Sequence, residues 1–65
     1  MNQAQIQHHK DIDIPAWEYR SGDWFTIRLF DLMAHSDTQN FTRLENAFPE
    51  AGAAFAWWKA GKPAA

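Results

Sequence analysis

Two places in this chain bring together side chains that could do chemistry. One is His8-His9 followed by Asp11 and Asp13; the other is His35-Ser36 with Asp31 four residues upstream. Imidazole and carboxylate can share a zinc or nickel ion, so the first group has metal-type ligands. Its spacing argues against a shared ion, because adjacent side chains diverge on a helix and on a strand alike, and the chain has no His-x-x-x-His pair. A solvated surface is the expectation for these four residues, with no metal and no cofactor. At the second place an imidazole stands beside a hydroxyl, the pairing that nucleophilic catalysis needs. The same residues describe a helix end followed by a cap, with Asp31 and His35 as an exposed pair worth about 0.2–0.5 kcal/mol. No enzyme is expected, since a domain of 65 residues filled with rings has little volume for a pocket of roughly 300 Å³ or more.

The elements that position these groups are read from periodicity and cap chemistry. Residues 1–22 are rich in Gln, His and Asp, and Ile12 and Ile14 alternate with Asp11 and Asp13. That period of two, with Pro15 biasing Ile14 toward extended backbone, predicts an extended or partly disordered N-terminal arm; a helical turn or two over Ala4–Lys10 is the alternative. Ser21-Gly22-Asp23 supplies turn and cap chemistry for a first helix over about 24–34. Phe25, Leu29, Leu32 and Met33 fall on one face of it and Ile27, Phe30 and Ala34 on an adjacent strip, which predicts the central helix. Ser36 with Gln39, or Asp37 alone, caps a second helix over 38–47 with Phe41, Leu44 and Phe48 as its buried stripe. Pro49 opens a third helix over 49–60, with Ala51, Ala54, Phe55 and Trp58 inward. Gly52 inside it costs about 1 kcal/mol relative to alanine, a loss that a close backbone approach would explain. Gly61 stops the helix and residues 62–65 form a frayed tail. The fold class is therefore all-α, a small three-helix domain behind an arm.

Composition bounds the function. Without cysteine there is no disulfide framework and no thiolate zinc cage, so packing must hold a chain this short together, and four Trp, five Phe and one Tyr supply large buried area per residue. The formal charge of −2, and the scatter of the six Lys and Arg residues, give no footprint for direct nucleic-acid binding. No run is long enough to span a membrane, and the polar start lacks the apolar stretch of a signal peptide, so a cytosolic protein is expected. The eight acidic residues are spread through every segment. They are either a solubilising surface or a set of charges spaced like phosphates that meets a basic partner. Trp17, Tyr19, Trp24, Trp57 and Trp58 exceed what so small a core can enclose, and neighbours Trp57 and Trp58 cannot both face inward. The surplus suits interface anchors or packing beneath the arm. Candidate partner contacts are Asp11, Asp13, Glu18, Asp23, Trp24, Arg28, Asp31 and Trp57.

From Asp23 to Trp58 the run Trp24-Phe25-Thr26-Ile27-Arg28-Leu29-Phe30-Asp31-Leu32, then Ser36-Asp37, Asn40, Leu44 and Ala47-Phe48-Pro49-Glu50, resembles small proteins encoded by bacteriophages and mobile elements. Size, acidity, aromatic content and lack of cysteine are also similar to those of anti-CRISPR proteins. This resemblance implies an inhibitor in the host bacterial cytosol that binds a CRISPR effector or other defence complex and blocks target DNA; a monomer is expected over a homo-oligomer. The alternative is a phage or plasmid structural protein that self-associates or docks through Trp57 and the arm.

Overall fold

A computed structural model of the protein describes residues 1–64. The described residues are helical, with no strand. α1 (Gln3–His8), a π-helical turn (His9–Asp13) and α2 (Ile14–Tyr19) follow one another without a break, and α3 (Phe25–His35), α4 (Thr38–Ala47) and α5 (Pro49–Lys59) complete the chain. No helix among the described residues is long and apolar enough to cross a membrane.

The expected arm is instead a helical rod. Asn2 caps it, its Oδ1 accepting from the Gln5 N–H at 3.1 Å. Ile14 precedes proline yet sits in the right-handed helical region, with φ −65° and ψ −48°. Burial overrides that local bias: Ile6, His9, Asp13, Ile14 and Ala16 all turn inward, whereas Ile12, which suggested the extended reading, is exposed. Pro15 lacks an N–H, and its ring crowds the preceding turn of a regular α-helix. The wider turn just before it, closed by the Ile14 N–H to the His9 carbonyl, relieves that crowding and inserts one residue, rephasing the buried stripe. α2 then ends with Arg20 in the left-handed region (φ 53°), where the Arg20 N–H bonds Trp17 O and the Ser21 N–H bonds Ala16 O. That is the double closure usually built on glycine.

Of the three helices read from the sequence, α4 and α5 start where their cap residues place them. The Asp37 carboxylate accepts from the Asn40 N–H at 2.8 Å, so Asp37 rather than Ser36 caps α4, and Pro49 stands in the first turn of α5. At the start of α3 neither Ser21 nor Asp23 provides a side-chain cap. Gly61, at φ 93°, closes α5 with bonds from Gly61 N–H to Trp58 O and from Lys62 N–H to Trp57 O. Over Lys62 and Pro63 the tail lies against the body of the protein, where the Lys62 ammonium reaches Glu18 and the Pro63 carbonyl accepts the Trp57 indole N–H; Ala65 lies outside the described residues.

The centre of the packing is α5, not α3. α5 touches the rod, α3 and α4, while α3 and α4 barely meet each other. Phe55 sits among Trp17, Phe30, Phe41 and Trp58 with ring centroids 5.4–6.3 Å apart, and Phe30 is fully enclosed. Gly52 permits the tight α4–α5 crossing, since a Cβ there would stand 3.1 Å from the Cα of Glu45. With α5 in the middle, α3 turns Ile27, Leu29, Phe30 and Met33 inward. Phe25 and Leu32, expected in the core, are left 65% and 55% exposed, and Phe48 lies at the surface beside them.

Candidate functional site

The residues expected to meet a partner do not form one surface. Asp13 is buried: its Oδ2 accepts from His9 Nδ1 at 2.7 Å and its Oδ1 from the Trp24 indole N–H at 2.9 Å. The solvated reading therefore fails for His9 and Asp13, while His8 and Asp11 are exposed. Trp24 is partly exposed, with its N–H committed to Asp13. Glu18 accepts from the Trp58 indole N–H at 3.0 Å and from Lys62 Nζ at 3.1 Å. Asp31 Oδ1 stands 3.4 Å from the Trp17 indole N–H. Trp57 and its neighbour Trp58 are both half-buried, and Lys10 Nζ lies 4.8 Å above the Trp57 ring. All four indole N–H groups thus have internal acceptors, three of them carboxylates. Much of the acidic and aromatic surplus is spent on satisfying buried or half-buried rings, as the cost of an unmet buried donor requires.

Of the eight candidates, Asp11, Glu18, Asp23, Trp24 and Arg28 are exposed, and of these Glu18 and Trp24 are tied to internal partners. Asp23 and Arg28 face each other at 3.8 Å, and Arg28 Nε donates to the Asp23 carbonyl. At the other end of α3, His35 Nδ1 bonds the Asp31 carbonyl at 2.7 Å and the Ser36 hydroxyl donates to the Met33 carbonyl at 2.8 Å. Both groups are turned to helix carbonyls, so the hydroxyl does not point at the imidazole. Among the described residues no group of three His, Asp or Glu side chains is arranged to hold a metal ion.

The pairing of Glu18 has a pH signature. The Trp58 indole N–H, and after it Lys62, holds the Glu18 carboxyl below its ordinary value of 4.5; the Asn2 backbone N–H does the same for Glu50. A depressed folded-state value means stability that is present above the ordinary value and is lost as pH falls through the folded one. Melting temperature should therefore decline as pH drops below about 4.5. Glu18→Gln should flatten part of that decline, by less than about 1 kcal/mol because the pair is partly solvated. A wild-type slope that Glu18→Gln leaves unchanged would exclude Glu18 as its source.

The feature that sequence reasoning misplaced is apolar. Phe25, Leu29 and Leu32 from α3 and Leu44 and Phe48 from α4 and its end line an open groove of about 340 Å³, with Arg28 on one margin. The Phe25 and Phe48 rings meet at 5.6 Å. Leu32 and Leu44 also floor a second groove of about 400 Å³, which extends between His35, Asn40 and Arg43. Volumes of this size were not expected in so small a domain; they lie at the surface, because α3 and α4 splay apart over α5. The signal was present in α3 itself, whose two apolar strips cover more of its circumference than one neighbouring helix can bury. No family model, curated protein or solved structure matches the chain.

Proposed function

We propose that this protein acts by binding another protein, not by catalysis, and that the face between α3 and α4 makes the contact. The carrying observation is the contiguity of Phe25, Leu32, Leu44 and Phe48 around one groove. Single exposed apolar residues need no explanation, whereas a connected patch with a polar rim is the usual mark of an interaction surface. The phage-like pattern across α3 and α4 makes a host defence complex, a CRISPR effector's DNA-binding surface first among them, the partner class to test. Asp11 and Asp23 are exposed and add charge steering to such a contact, whereas Asp13 is buried.

Purified protein should co-elute with such a complex on size exclusion and lower its affinity for target DNA. The double variant Phe25→Asp/Leu32→Asp should abolish co-elution while keeping its helical signal and melting temperature, because both positions are exposed. Failure to co-elute with several effector types would remove the inhibitor reading. A complex that survives the double variant would remove the α3–α4 face as the contact.

A further inference from the structure

The shape and charge of the same face describe its occupant, an inference that rests on the reading above and narrows it. The groove follows α3, whose 11 residues span about 16 Å, three helical turns. Its floor is Leu29, Leu32 and Leu44, and the Phe25 and Phe48 rings close one end. A valley between two helices accepts the apolar ridge of a third. No strand among the described residues offers an edge to which an extended segment could be added.

The margin carries a charge preference. Its carboxylates have internal partners: Asp23 faces Arg28, and the Asp37 carboxylate is held by the first turn of α4. His35 lies 3.8 Å from Asp31. Arg43, on the α4 margin beside Leu44, reaches only Asn40 Oδ1 at 3.3 Å. It is the one cation on the groove's margin without a carboxylate partner among the described residues. A second copy of the chain is a poor occupant. A standard interface takes about 800 Å² from each partner, close to a fifth of this molecule's 4415 Å², and five partly covered side chains do not supply it.

We infer that the groove takes an amphipathic helix of a partner protein, about three turns long, with apolar side chains at i, i+3 or i+4, and i+7 and a carboxylate on the flank facing Arg43. The probes are two stapled helices of about 15 residues that share one Leu/Phe stripe, flanked by Glu in one and by Lys in the other. Each is titrated into the isotope-labelled full chain. The Glu peptide should shift amides around Leu32 and Leu44 and bind roughly fivefold tighter than the Lys peptide at low salt. Arg43→Glu should reverse that order, and added salt should close the gap. Equal affinities would overturn the acidic flank while leaving the apolar contact standing. Absence of binding by either peptide would overturn the helical occupant, yet co-elution and its loss in Phe25→Asp/Leu32→Asp would still report on the face itself. Concentration-dependent sedimentation with loss of the α3–α4 amide signals would assign the groove to a second copy and overturn the proposal.

Discussion

Asp13→Ala should lower stability by about 3–5 kcal/mol, the loss expected when one member of a buried, hydrogen-bonded pair is removed and the other is left without its partner. Only 5% of the Asp13 side chain is exposed, and its two oxygens serve two different elements, His9 on the rod and Trp24 at the entry to α3. Alanine strands both donors at once. At roughly 4–8 °C per kcal/mol for a domain of this size, the melting temperature should drop by more than about 12 °C. Asp11→Ala, two residues away on the exposed side of the same turn, should stay within about 0.5 kcal/mol. A third variant separates burial from charge. His9→Leu/Asp13→Leu replaces the pair by apolar groups and should recover the share of the loss that belongs to His9, while the Trp24 N–H stays unmatched. Urea titrations followed by tryptophan fluorescence would report all three. A small effect of Asp13→Ala, equal to that of Asp11→Ala, would mean that the pair contributes nothing.

Gly22→Ala should cost about 1–3 kcal/mol for a reason that lies outside its own backbone. The conformation at Gly22 is ordinary, since the only glycine with positive φ is Gly61. Space is what alanine lacks: a Cβ would stand 2.3 Å from Cζ3 and 2.7 Å from Cε3 of the Trp24 ring. The indole must swing away, and 44% of Trp24 already faces solvent, so it can. In leaving, it gives up the Asp13 oxygen. Trp24→Phe breaks the same bond directly, so the Gly22→Ala/Trp24→Phe double variant should lose little more than either single one, a coupling of at least about 0.5 kcal/mol. Additive losses would show that Gly22 acts independently of the Trp24–Asp13 bond.

These two cases mark where sequence reasoning stops. Asp37, Pro49 and Gly61 act on backbone groups within a few residues of themselves, so the bounds of α4 and α5 were legible from side-chain chemistry alone. The rod was not, because its inward stripe mixes Ile6, His9, Asp13 and Ile14 and changes phase at the π-helical turn, which hides a helical period behind an apparent alternation. The acidic candidates were placed on the surface for a related reason. Asp13, Glu18 and Asp31 carry the sign of a surface, but the indoles they serve lie 11, 40 and 14 residues away, and no local pattern announces those pairings. The apolar content of α3 was read correctly. Which strip would win burial depended on α5 taking the centre, which only the assembled fold decides.

The rod finds its cover late. Asn2 bonds Glu50, and Glu18 meets Trp58 across a separation of 40 residues. At a synthesis rate of about 5–20 residues per second, that stretch takes roughly 2–8 seconds to make, far longer than a helical domain needs to fold. For that interval the rod has only α3 to pack on, through the Trp17 and His9 contacts with Phe30, and its side toward α5 stays uncovered. The core therefore closes only when the last helix of the chain is complete, so folding waits on the end of synthesis.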